Sequence, residues 1–444
     1  MELRHHGGHQ GVTGSCHQLV FDSGQSVLVD CGLFQGSDAN RHPDLEIEFP
    51  LTGVIGLLLT HVHLDHVGRL PYLMAAGYEG PIYCTQPTAK LLPLTIEDAL
   101  KIGFTRNTRM IEAFLDTLQT RLKPLPYHQW TDLGNDVQVR LQPAGHILGS
   151  CYVEIQADDR RAVFSGDLGA PHAPLMKVPD SPERADLLVL ESTYGDRHHQ
   201  GRAERQQTLE RVLRKTLENK GVTIIPAFSL GRTQELLFEM NMIFERVQSE
   251  QEAGIMKRVD VIVDSPLACR FTEIYNELQP YWDQEAQQVL RYDDQPLVFE
   301  NLTSILDHEE HSSTLDYLER SDLPAIVVAG SGMCTGGRVV NYLKRFISDP
   351  KADVVFIGYQ GHGTPGREIQ AGHDKVRLDG TVYPVRAAVH SISGYSAHAD
   401  QADLLRFVTE MPSPPGEVVL VHGEDHAKRI LCQKLRDLGI TVRG

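Results

Sequence analysis

The chain has 444 residues, 41% of them hydrophobic and 23% charged, the balance of a soluble globular protein with room for two or three domains. Its formal charge of −17, from 42 basic and 59 acidic residues, excludes a general attraction to nucleic acid or to an acidic membrane, so a phosphate-bearing substrate would need a local positive field such as bound divalent metal supplies. Seven scattered cysteines without a CxxC pair exclude a disulfide framework and a zinc knuckle; no run reaches the ~18 apolar residues of a membrane span, no signal-like core opens the chain, and the expected setting is the cytoplasm.

From Glu2 to Asp30 the chain reads as short strands around a glycine-rich loop, with HQLVFD and QSVLVD delivering Asp30 to a sheet rim. His5, His6 and His9 cluster here without an assignable role. The next stretch, LLLTHVHLDHVG from Leu57 to Gly68, is an apolar run that ends in His61, His63, Asp65 and His66. A strand puts His61 and His63 on one face, because side chains two apart point the same way. A turn into a helix near Leu64 lets Asp65 and His66 face a second position, so this segment can feed two adjacent metals. Imidazole nitrogens with one carboxylate favour zinc, with manganese or iron as alternatives, over calcium or magnesium.

Helical spacing follows over 66–76, 88–102 and 107–122, with a strand at PIYCT. Strands then return. His146 follows VQVRLQPAG, Asp167 ends RAVFSGD and Glu191 ends DLLVLE, each at a strand terminus where a side chain can meet a ligand. From Arg202 to about Phe356 strands and helices alternate, which predicts a second domain with a mostly parallel sheet.

Within it, GSGMCTGGR lacks the Lys-Ser/Thr of a P-loop and the spacing of a dinucleotide fingerprint; a tight strand-to-helix turn or a contact to substrate phosphate is expected instead. His308 and His311, among charged neighbours, read as a solvated helix face. Glycine-rich YQGHGTPGREIQAG reads as a return linker. Finally His398 in SAHAD and His422 in VHGED each precede a helical stretch, repeating the strand, exposed histidine and helix of the first cluster.

Taken together, Asp30, the His61-His63-Asp65-His66 run, His146 and Asp167 resemble the motifs of the metallo-β-lactamase superfamily, and Glu191 in ESTYG, His398 in SAHAD and His422 in VHGE resemble those of its β-CASP branch of nucleases. The resemblance spans nearly the whole chain, in the correct order. It implies an α/β protein: an αββα sandwich built from residues 1–195 and 364–444, with a β-CASP α/β domain at 196–363 inserted between them. It further implies two zinc ions, one held by His61, His63 and His146 and the other by Asp65, His66 and His422, with Asp167 bridging and Asp30 orienting a ligand or the bound water.

The expected reaction is endonucleolytic hydrolysis of single-stranded RNA by a hydroxide that the two metals activate, with His398 as general acid and Glu191 orienting it, leaving a 5′-phosphate and a 3′-hydroxyl. A histidine at the position of His422 is typical of RNA-directed members, and the chain looks like a compact relative of the pre-mRNA 3′-end cleavage endonuclease. Arg232, Arg338, Lys344 and Arg367 are candidates for contacts to the RNA backbone. The competing expectation is a hydrolase of small thioesters or lactones, since the same metal core supports acyl transfer. No membrane partner is expected, and a homodimer is left open.

Overall fold

The computed structural model describes residues 1–249, 259–321 and 323–443. They form two compact units, one of residues 1–198 and 398–444 and one of residues 199–397. The first unit carries two sheets. In one, strands Glu2–Gly7, Cys16–Val20 and Ser26–Val29 run antiparallel, and Ser26–Val29 continues in parallel through Val54–Leu58, Ile82–Thr85 and Leu122–Leu125. In the other, Val442–Arg443, Glu417–Val421, Leu187–Glu191 and Arg160–Phe164 are parallel neighbours, followed by antiparallel Cys151–Ala157, Val137–Pro143 and Thr131–Gly134.

Apolar residues from both sheets meet in one buried core: Leu19, Val29 and Leu58 from the first, and Val153, Phe164, Val189 and Val419 from the second. The second sheet buries its other face, including Leu188, Leu190 and Leu420, against Leu404 and Phe407 of helix Gln401–Thr409 and Leu431 and Leu435 of helix Asp425–Asp437. Strands covered on both faces read as continuous apolar runs, which is why VVLV and LLVL look as they do. Helices Gln86–Gly103 and Thr108–Arg121 connect strands Ile82–Thr85 and Leu122–Leu125 of the first sheet, the former capped by the Thr85 hydroxyl and the latter by the Asn107 side chain. This is the expected αββα sandwich.

The second unit holds a parallel sheet in the order Leu302–Ser304, Asp260–Asp264, Ala325–Ala329, Val222–Pro226, Asp353–Phe356 and Ala388–Ser391. Helices Arg202–Asn219, Arg232–Ser249, Pro266–Glu277 and Arg338–Phe346 alternate with its strands as the sequence predicts. The boundary at 364 differs from the division into compact units. Residues 359–372, read as a linker, contain helix Pro365–Gln370, and Ile369, Val376 and Leu378 join the apolar core of the second unit. The pairing of Asp353–Phe356 with Ala388–Ser391 keeps the chain in that unit up to Ala397. Among the described residues no helix is long and apolar enough to cross a membrane.

Candidate metal centre

Parallel strands bring their carboxyl ends to one rim, where ligands gather in α/β folds. On the first unit that rim collects the sequence candidates from strands far apart in the chain. Asp30 follows Ser26–Val29, His61 and His63 follow Val54–Leu58, His146 follows Val137–Pro143, Asp167 follows Arg160–Phe164, Glu191 ends its strand and His422 follows Glu417–Val421. Helix Leu64–Val67 turns Asp65 and His66 back toward the same point. His398 is placed by the pairing of its backbone with Gly169 and by the hydrogen bond from Ala399 N to Leu168 O.

The side chains form two groups with Asp167 in common. His63 Nδ1 lies 3.1 Å from His61 Nε2 and 2.9 Å from His146 Nε2, and Asp167 Oδ2 lies 3.5 Å from both Nε2 atoms. Asp167 Oδ1 lies 3.3 Å from His66 Nε2 and 3.5 Å from His422 Nε2, and His422 Nε2 lies 3.3 Å from Asp65 Oδ2. Ligands at ~2.1 Å on a tetrahedral zinc stand about 3.4 Å apart, so these separations suit donors around a cation. One carboxylate oxygen of Asp167 faces each group.

Hydrogen bonding alone does not satisfy the cluster. His63 Nδ1 can carry one proton and so can bond only one of the two nitrogens beside it. His66 Nε2 and Asp167 Oδ1 are buried and have no hydrogen-bond partner, a costly state that a metal ligand resolves. Burial, then the His66 imidazole, holds His61 well below the usual imidazole range, and loss of hydration takes the half-buried His63 to about 4. Both therefore offer lone pairs at neutral pH. In the second group burial is outweighed: Asp167 and Asp30 raise His66, and Asp167 and Asp65 raise His422. Against its own burial, Asp65 is lowered to about 2 by the hydrogen bond from His422 and the charges of His66 and His422, and Asp167 is held well below the carboxylate range by His422 and His66. The donor set fits two adjacent divalent cations.

Neighbouring groups set the tautomers. Asp30 Oδ2 accepts from His66 Nδ1 at 2.7 Å, which turns His66 Nε2 toward Asp167. Asp30 also accepts from the Thr60 backbone N–H and hydroxyl, both at 2.8 Å. Having given its proton to Asp30, the Thr60 hydroxyl can only accept from His61 Nδ1, 3.1 Å away, and this leaves the lone pair on Nε2. Thr193 does the same for His422, donating to the His422 carbonyl at 3.1 Å and accepting from its Nδ1 at 3.0 Å. Neither threonine stood out in the sequence, although Thr60 adjoins His61 and Thr193 lies within ESTYG.

Beside the cluster, His398 Nδ1 lies 3.2 Å from Oε1 of fully buried Glu191. Glu191 is fixed in turn by N–H groups of Leu168 at 2.7 Å and Thr193 at 3.3 Å. His398 Nδ1 is also 3.9 Å from Asp167 Oδ2. His398 thus reaches the ligand cluster while resting on a carboxylate outside it.

Over residues 12–227 the chain matches the metallo-β-lactamase superfamily model, over 233–369 the β-CASP domain model, and over 382–443 a zinc-dependent metallo-hydrolase RNA specificity domain. A ribonuclease from Thermus thermophilus is 38% identical over 440 residues, covering 98% of this chain and 94% of that protein. This chain belongs to the β-CASP family of the metallo-β-lactamase superfamily. As a β-CASP protein it is a hydrolytic enzyme with a metallo-hydrolase fold. Transcription termination factor FttA of Methanosarcina mazei is 30% identical over 437 residues, covering 95% of this chain and 66% of that protein. A solved structure of a protein of unknown function from Enterococcus faecalis has a TM-score of 0.52 at 12% identity over 95% of this chain and 93% of its own, a likeness of fold alone.

Several expectations for the second unit of this β-CASP protein change. Arg232 is buried, pairs with Glu235 and donates to Tyr395 O; Arg338 pairs with Asp264; and Lys344 bonds Asp379 at 2.8 Å. These cations are engaged within the unit, whereas among the described residues the side chain of Arg367, in helix Pro365–Gln370, hydrogen-bonds to Gln370 at 3.4 Å. His311 does not face solvent. It is buried, with Nδ1 2.5 Å from Asp264 Oδ2 and Nε2 2.9 Å from Asn341 Nδ2. The glycine-rich segment is, as expected, a turn from strand Ala325–Ala329 into helix Arg338–Phe346, with Gly337 at a positive φ of 74° and its Cα hydrogens against the Gly330 carbonyl, where a side chain would collide.

Proposed function

We propose that this β-CASP protein is a zinc-dependent endoribonuclease acting on single-stranded RNA in the cytoplasm. The observation that carries the reading is that one oxygen of Asp167 faces His61 and His146 while the other faces His66 and His422, with the His398–Glu191 pair alongside. The name of the Thermus thermophilus relative, which covers nearly the whole chain, supports RNA as the substrate.

Under this reading His61, His63 and His146 would hold one zinc and Asp65, His66 and His422 the other, with Asp167 shared between them. Zinc bound there would supply Lewis acidity toward phosphoryl oxygens and a nucleophile from water at neutral pH. Asp30, Thr60 and Thr193 hold the ligand imidazoles in the tautomers that aim Nε2 inward. Glu191 accepts from Nδ1 of His398, so Nε2 is the nitrogen that presents a proton to the departing ribose oxygen.

The test is a comparison of zinc-loaded protein on end-labelled single-stranded RNA, DNA of the same sequence and a small thioester. Internal cleavage of the RNA, with new 5′-phosphate ends, is expected. Brisk thioester hydrolysis with intact RNA would replace this reading by a small-molecule hydrolase.

A further inference from the structure

His5, His6 and His9, which the metal centre does not use, line a cavity of about 880 Å³ in the first unit. Strand Glu2–Gly7 and the glycine-rich loop after it form one wall, and the segment from Phe34 to Phe49 forms the other. Rings meet face to face across and along these walls. His6 stacks on Phe49 with centroids 3.7 Å apart and planes within 12°, and His42 stacks on Phe34 at 4.2 Å and 17°. His6 and Phe49 are only half-buried, so the pair keeps surface turned to the cavity.

The first wall is tied to the metal ligands. Gly8 O accepts from the backbone N–H of His422 at 2.7 Å, Gly11 O accepts from that of Gly423 at 3.2 Å, and Ser15 N–H donates to Asp65 O at 2.8 Å. Two residues that line the cavity, Gly8 and Gly11, are therefore bonded directly to the backbone of His422 and of Gly423 beside it.

Its charge argues against a phosphate ligand. Asp44, Glu46 and Glu48 line it, whereas its two guanidiniums are engaged: Arg69 donates to Gly32 O and His6 O and lies over Phe34, and Arg41 donates to Gln10 O. The histidines add no charge at neutral pH, since burial lowers His6 and His9 and takes His5 to about 4. What suits flat uncharged rings bordered by carboxylates is a flat neutral heterocycle bearing N–H donors. Nucleobases have that chemistry, and single strands expose it.

We propose that this cavity receives one unstacked nucleobase of the substrate strand, stacked against His6 and Phe49, and so sets which phosphodiester reaches the metal ligands. The proposal rests on the ribonuclease reading above.

The experiment measures steady-state cleavage of a single-stranded 12-mer RNA, and of the same strand with one abasic site moved position by position, by zinc-loaded wild type, Phe49→Ala and Phe49→Trp. Phe49→Ala is expected to raise KM about tenfold and leave kcat within about twofold, in line with loss of one base stack, and Phe49→Trp to restore KM. One abasic position should raise the wild-type KM by the same factor and abolish the difference between wild type and Phe49→Ala. Equal KM values for wild type and Phe49→Ala on the intact strand, or a difference that persists on every abasic strand, would overturn the proposal while leaving the ribonuclease reading intact. If wild type cuts no RNA, that reading fails instead. Fluorescence anisotropy of the labelled strand on zinc-loaded protein then decides the cavity: binding weakened about tenfold by Phe49→Ala supports it, and equal or absent binding overturns it.

Discussion

The hydroxyl of Thr193 lies 3.0 Å from Nδ1 of His422 and 3.1 Å from the carbonyl oxygen of the same residue. A carbonyl only accepts, so the single hydroxyl proton goes there and the oxygen must accept from Nδ1–H. In the neutral imidazole the lone pair of His422 is thereby fixed on Nε2, facing Asp65 and Asp167. Thr193→Val keeps the shape and removes the acceptor. It should weaken zinc binding at the Asp65–His66–His422 group by ~10- to 100-fold, and Thr193→Ser should bind nearly as wild type. Competition with a chromophoric chelator reads both; a valine variant that binds as tightly as wild type would remove Thr193 from the account.

Asp167 is the one residue whose two oxygens face both ligand groups. Asp167→Asn retains its volume but gives up the charge that a pair of cations requires. Metal analysis after dialysis should find the variant depleted at both positions, and full retention would show that the carboxylate does not bridge.

Zinc uptake should release protons at neutral pH. His66 and His422 have raised pKa values, so each tends to carry a proton on Nε2 that the metal must displace, whereas His61 and His63, held low, have none to lose. The sign follows: apparent affinity climbs with pH until it passes the raised imidazole values and then levels off, and it falls in acid. Calorimetry in buffers of different ionisation enthalpy measures the released protons directly. Uptake with no proton release at pH 7 would show that both imidazoles are already neutral before the metal enters.

In the second unit, fully buried Asp264 accepts from the hydroxyl of Tyr342 at 2.5 Å, meets His311 Nδ1 at 2.5 Å and pairs with Arg338. Asp264→Ala would leave the Tyr342 hydroxyl and His311 Nδ1 without their acceptor and remove the charge that Arg338 pairs with, leaving Arg338 only the carbonyls of Ile305 and Asp307. A loss of about 3–5 kcal/mol is expected for breaking such a buried pair from one side. The chain has two tryptophans, and Trp282 is buried in this unit, so urea unfolding followed by its fluorescence in a Trp130→Phe background isolates the effect. Unchanged stability would mean that the network contributes nothing to holding the unit together.

The residues that the structure gathers into the candidate metal centre were legible because they break a strong pattern. His61, Asp167 and His422 each interrupt or follow an apolar strand, and a polar side chain there is exposed to a ligand and not to packing. Thr60 and Thr193 escaped notice because threonine beside a strand is ordinary, and only the geometry of one shared proton reveals their work. His311 was misjudged from its charged neighbours. Its spacing to buried Leu315 and Leu318 at i+4 and i+7 carried the correct signal, since helix His308–Arg320 turns Glu309 and Glu310 away from that face. The extent of the second unit was obscured by glycines at 361, 363 and 366, which suggested a linker where the chain forms a short helix and then rejoins the sheet.

In the proposed reaction His398 delivers a proton to a leaving oxygen of RNA beside a metal pair it does not help to bind. The most direct measurement is the single-turnover cleavage rate of single-stranded RNA by wild type and His398→Ala, with zinc content determined on the same samples. A rate reduced by about 10²- to 10⁴-fold with zinc retained is the expected result. An unchanged rate, or a variant that has lost its zinc, would contradict it.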